Sequence, residues 1–179
     1  MTGLSTPGTF QGKYRATVIQ NIDPEQRGRL QLIIPDVLGP IPSTWAEACV
    51  PLAGPTGPPM GVYMVPPIGA GVWVEFERGD PNYPVWVGCR WGAQSDIPPL
   101  ARVGIPASPN IVMQTLGQHT LMVSDAPPSP ATGGIVLKSG TNAMIVVNDT
   151  GIYINNGKGA MITLIGPLVT INNGALAVT

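Results

Sequence analysis

From Gly133 to its last residue the chain repeats itself with a period of 17 residues. Ile135-Val136-Leu137 falls on Ile152-Tyr153-Ile154 and then on Val169-Thr170-Ile171. Gly140 falls on Gly157 and Gly174, and Ala143-Met144 on Ala160-Met161 and Ala177-Val178. Each copy reads as two short alternating strands parted by Gly, Asn and Asp turns. Alternation puts Ile135 and Leu137, Ile152 and Ile154, and Val169 and Ile171 on one face. A ribbon this thin cannot bury that face within one chain. Three chains wound about a common axis would point the faces inward and satisfy the backbone between chains. The repeat therefore predicts a trimeric, intertwined β-helix or β-prism. Lys138, Asn148, Asp149, Asn155, Lys158 and Asn172 would lie outside.

Composition points the same way. Hydrophobic residues make up 44% of the 179 residues but charged ones only 11%, where an ordinary soluble domain carries about 25%. So little charge suggests a surface covered by copies or partners. A net charge of −1 removes the electrostatic case for nucleic acid, which needs a basic face to displace counterions. Cys49 and Cys89 make no disulfide framework and read as reduced, buried thiols. The N-terminus has neither the basic nor the apolar region of a secretory signal, and no apolar run is long enough to span a membrane as a helix.

Ahead of the repeat, residues 1–11 read as an arm that is mobile or docked on a partner. Residues 12–92 hold five strand patterns: 13–20, 29–34, 45–50, 72–76 and 85–89. Val72, Val74 and Phe76 should face a core, with Glu75 and Glu77 outward. The Arg78-Gly79-Asp80-Pro81 turn sets the register of the last two strands. Five strands in so short a stretch favour a small closed barrel, which leaves no sheet edge. Trp45 can plug the barrel's end or sit at a subunit contact. Residues 93–110 form a Pro-rich linker, stiff and extended. Residues 111–179 form the shaft: a degenerate first copy begins near Ile111, an inserted loop occupies 125–132, and the regular repeat runs from 135.

The first half resembles the OB-fold domain of spike proteins from contractile phage tails, including the VgrG proteins of type VI secretion. The resemblance lies in Asp23-Pro24 with Gly28-Arg29, Trp45-Ala46, Ala53-Gly54, Pro66 with Gly69, and above all Phe76, Gly79-Asp80-Pro81, Pro84 and Gly88. A β-helical spike after the OB domain is that family's arrangement, and 111–179 fit it. The resemblance implies a homotrimer with a structural, envelope-piercing role in a virion tail baseplate or equivalent injection particle. It would link a hub protein at the base of the tail tube to a PAAR-type tip protein. No hub domain precedes the OB region, so a separate hub protein is implied. No lysozyme-like insertion follows it, so neither catalysis nor a cofactor is expected. Some family spikes end in a His-x-His metal site. The lone histidine here is His119, in the turn-like GQHTL, and no metal site is expected.

Leu176, Ala177, Val178 and Thr179 continue the repeat pattern with no polar capping unit, so a tip protein is expected to cover them. Trp73, Tyr83, Trp86 and Trp91 are the candidates for contact with the hub or between subunits. The competing reading of an OB barrel is single-strand nucleic-acid binding, for which these aromatics would be stacking platforms. Sparse Arg and Lys, with Glu75 and Glu77 beside Trp73, argue against it. One acid, Asp149, in residues 133–179 leaves the shaft without the clustered acids of a polysaccharide-cleaving solenoid.

Overall fold

A computed structural model describes residues 9–54 and 57–178. The chain divides into two compact units, the first ending at Gly92 and the second starting at Ala93. The expected arm falls mostly on residues 1–8, outside the described residues.

In the first unit, β1 (Tyr14–Gln20), β2 (Gln31–Ile33), β3 (Glu47–Ala48), β4 (Gly71–Phe76) and β5 (Pro84–Arg90) form one sheet in the order β2-β1-β4-β5-β3. The neighbours are antiparallel except β3 with β5. Leu30 and Ala46 then exchange two backbone hydrogen bonds, 3.1 and 2.7 Å, which join the β2 side to the β3 side and close the barrel. Closure removes the sheet's open edges. A single-turn helix, α1 (Pro35–Leu38), follows β2. Inward positions alternate: Ala16 and Val18, Leu30, Leu32 and Ile34, and Val72, Val74 and Phe76 are all buried.

β5 departs from simple alternation. Val74 pairs with Trp86 but Trp73 pairs with Gly88, so Val87 is an extra, bulged residue. Trp86 faces the core at 5% exposure, and its indole N–H donates to the Gly28 carbonyl at 3.0 Å. The expected surface role therefore does not suit Trp86: with its one polar group satisfied, the indole is an ordinary core side chain. Trp45 does not plug the barrel but is half-buried under the Arg29 guanidinium, 5.6 Å from the ring centroid. Phe10 supplies the aromatic packing near the β4–β5 turn. Its N–H donates to Gly79 O at 2.9 Å, and its ring meets Tyr14 and Phe76 with centroids 6.1 and 6.0 Å away. Cys49 and Cys89 are free thiols, exposed and not buried; Cys49 has left β3 and Cys89 lies past the bulge.

The second unit is a single eight-stranded antiparallel meander, β6 to β13 in sequence order. The strands are β6 (Ile111–Gln114), β7 (Thr120–Ser124), β8 (Gly134–Lys138), β9 (Met144–Asn148), β10 (Gly151–Asn155), β11 (Met161–Ile165), β12 (Leu168–Ile171) and β13 (Leu176–Val178). One hairpin is one sequence repeat. Among the described residues it is an open sheet with two free edges and no solenoid coil. Residues 93–110 are not extended. They fold into two short 3-10 turns, Gln94–Asp96 and Pro99–Arg102. Leu100 packs on the cluster of Met122, Val136, Val146 and Tyr153. Asn110 Nδ2 holds the segment, donating to Leu100 O at 2.7 Å and to Val103 O.

Candidate functional site

The alternation of each repeat becomes a surface once the strands are in register. Across the meander, Ile111, Val123, Ile135, Val147, Ile152, Leu164 and Val169 are successive partners. A parallel row runs Met113, Leu121, Leu137, Ile145, Ile154, Ile162, Ile171 and Leu176. Both rows stand on one face. Among the described residues nothing covers it: Ile135 is 48% exposed, Leu137 49%, Ile145 40% and Ile154 39%. So long an unbroken aliphatic surface marks an interaction site. Ile135, Leu137, Ile152, Ile154, Val169 and Ile171 were legible from the repeat. Ile145, Val147, Ile162 and Leu164, on the return strand of each hairpin, complete the rows and carry the same alternation.

The opposite face is buried within the chain along part of its length. Its central row runs Val112, Met122, Val136, Val146, Tyr153, Thr163 and Thr170. It is buried at Met122, Val136, Val146 and Tyr153 and changes to Thr beyond. The hydroxyls of Thr163 and Thr170 bond to each other. Lys138 and Asn155 lie on this face on either side of Met144, and Asn148 lies on it at the other end of β9. The turns repeat a backbone contact as well. A Cβ on Gly134 would lie 2.2 Å from Val147 O, and one on Gly151 2.2 Å from Leu164 O, the same clash one period on.

Leu176 is 55% exposed on β13, which has one unpaired edge in the sheet. The backbone of Ala177 pairs with Thr170 and that of Val178 with Val169. Thr179 lies outside the described residues. His119 is exposed in the β6–β7 turn, and no group of three His, Cys, Asp or Glu comes together among the described residues.

In the barrel, the DPEQRGR loop wraps one carboxylate. Asp23 accepts the backbone N–H groups of Glu25, Arg27 and Arg29 at 3.0, 2.8 and 3.2 Å, and Arg29 Nη2 at 2.7 Å. The Arg29 guanidinium, together with these N–H groups, holds the Asp23 carboxyl well below the usual carboxylate range despite its burial. Gly28, at φ +78°, turns the chain between the donors. The motif is thus a loop lock with no free group for chemistry. The surface aromatics do not converge. Trp73 is half-buried with the Arg15 guanidinium 5.9 Å from its ring centroid. Tyr83 is 60% and Trp91 63% exposed, but they flank opposite ends of β5, on the order of 25 Å apart at strand spacing. Glu75 is paired with Lys13.

Comparison with known families accounts for both units. Residues 14–91 match the type VI secretion system/phage-baseplate injector OB domain. Residues 110–177 match the phage baseplate V C-terminal trimerisation domain. Among curated proteins, none matches the chain. The uncovered aliphatic face lies wholly within the trimerisation match, and the closed five-stranded barrel within the OB match. Among the described residues no helix is long and apolar enough to cross a membrane. The chain belongs to the spike family of phage and type VI secretion baseplates, a structural component built from an OB domain and a trimerisation domain.

Proposed function

We propose that three copies of this chain form the central spike of a contractile tail or injection particle, and that the spike is driven through a cell envelope when a sheath contracts. The observation that carries this reading is the pair of unbroken aliphatic rows on the C-terminal sheet. Three such faces turned to a common axis make a dry core, and the sheets then wrap one another as a β-prism. Force along the shaft would have to break many backbone hydrogen bonds together. The role is mechanical and needs no catalytic group.

In this reading the barrel meets a separate hub protein, with Trp73, Tyr83 and Trp91 as candidate contacts there or between subunits. A PAAR-type tip protein covers the free edge of β13, around Leu176, Ala177, Val178 and Thr179. The solution mass of the purified chain tests the assembly: three chains, resistant to SDS until heated, are expected. A single chain with native β content would sink the proposal. For the tip, removing residues 174–179 should abolish capture of the tip protein, and retained capture would refute that contact.

A further inference from the structure

We propose that an uncharged arm on each barrel, formed by residues 50–54 and 57–66, seats on the barrel of a neighbouring copy, giving the trimer a second ring of contacts. The proposal rests on the trimeric reading above and extends it to the barrels. No charged residue lies between Glu47 and Glu75. Between β3 and β4, residues 52–54 and 60–62 pair as the two narrow limbs of this arm. Ala53 bridges Gly61, Gly54 N–H donates to Met60 O at 2.7 Å, and Val62 N–H donates to Leu52 O at 3.0 Å. The arm directs its large apolar side chains at solvent: Met60 is 58% exposed, Tyr63 70%, Met64 61% and Leu52 46%. Such a concentration of exposed Met, Leu and Tyr marks a contact surface.

The arm carries both halves of a contact. One side forms a groove lined by Ala48, Val50, Leu52 and Val62, with Arg27 and Glu47 at its rim. Arg27 is already paired with Glu25 and Glu47, so the rim does not ask for a charged partner. The ridge is Met64 with Ile68 and Ile22, which are 59% and 76% exposed. They belong to neighbouring loops, since Asn21 Nδ2 donates to Pro66 O at 3.1 Å. A ridge and a groove on one chain make a head-to-tail contact, which closes into a ring when the copy number is fixed. The trimerisation domain fixes that number and tethers the other two barrels at high local concentration. A neighbouring copy is therefore favoured over a partner recruited from solution.

Methionine oxidation by hydrogen peroxide tests this on the purified full chain, with peptide mass spectrometry and solution mass read together. Met60 and Met64 report the arm, and Met113, 52% exposed on the aliphatic face, reports the shaft. All three are expected to oxidise roughly tenfold more slowly in the native protein than in urea, since the reaction follows exposure. If Met60 and Met64 react at the unfolded rate while Met113 is slow and the mass is three chains, the inference is overturned. Fast Met113 with a single-chain mass would overturn the trimeric reading itself. Tyr63→Asp, at an exposed position, should restore fast oxidation of Met60 and Met64 while Met113 stays slow and the mass unchanged. Continued protection in that variant would trace it to the chain's own fold and refute the neighbour.

Discussion

Asp23 and Trp86 bring distant parts of the barrel together through single side chains. The Asp23 carboxylate closes its loop only when ionised, because every group facing it is a donor. Its folded pKa is depressed by Arg29. The stability it contributes is therefore complete above the unfolded value of about 4 and is lost as pH falls through the lower folded value. Asp23→Asn should unfold at lower denaturant than the native chain at pH 7. The gap should be clearly smaller at about pH 3, where the unfolded carboxyl is protonated, and should close only in stronger acid, where the folded carboxylate protonates as well. Denaturation followed by Trp fluorescence at both pH values checks this, and a gap undiminished in acid would contradict it. Trp86 ties β5 to Gly28. Trp86→Phe keeps most of the apolar ring but leaves the Gly28 carbonyl unpaired, and should cost about 2 kcal/mol in denaturant unfolding.

The hairpins of the second unit bury one face in their own chain as far as Tyr153 and leave the other bare. Ile154 sits mid-row between Ile145 and Ile162, and in the assembly its carboxylate replacement would meet no partner. Burying an unpaired charge costs several kcal/mol. Ile154→Asp should therefore leave the barrel's Trp fluorescence unchanged and drop the solution mass to one chain. Lys138→Ala, on the opposite face, should leave the trimer intact. How far these elements were legible follows from the same physics. The repeat was legible because strand alternation and turn glycines are local, so Ile152 and Ile154 fell on the right face without a structure. The barrel strands were legible where Val72, Val74 and Phe76 alternate cleanly. Trp86 was misjudged because neither the bulge at Val87 nor the distant Gly28 carbonyl has a local signature. The segment 93–110 looked stiff from its prolines, yet Asn110 and Leu100 fold it through contacts that spacing does not announce.

At the scale of the whole molecule, charge is sorted away from the association surface. Residues 111–178 carry only Asp125, Lys138, Asp149 and Lys158 as charged side chains, and none of them is in either aliphatic row. The four tryptophans, Trp45, Trp73, Trp86 and Trp91, all lie in the first unit, so fluorescence follows the barrel while far-UV circular dichroism also follows the shaft. Unfolding a shaft shared by three chains is a reaction from one particle to three. The balance between folded and unfolded chains thus varies with the square of the chain concentration, and the free energy with twice its logarithm. A tenfold dilution should lower the shaft's stability by roughly 2.8 kcal/mol per trimer, twice the 1.4 kcal/mol of a single tenfold factor. The circular-dichroism midpoint in denaturant should move down by the corresponding amount once unfolding and reassembly have equilibrated. Raising the ionic strength about tenfold should not weaken the trimer, because apolar contact has no charge to screen. A midpoint independent of chain concentration would mean that the aliphatic face is satisfied within one chain. A midpoint falling steeply with salt would mean that ion pairs hold the copies together, and the two rows would then be bystanders to the assembly.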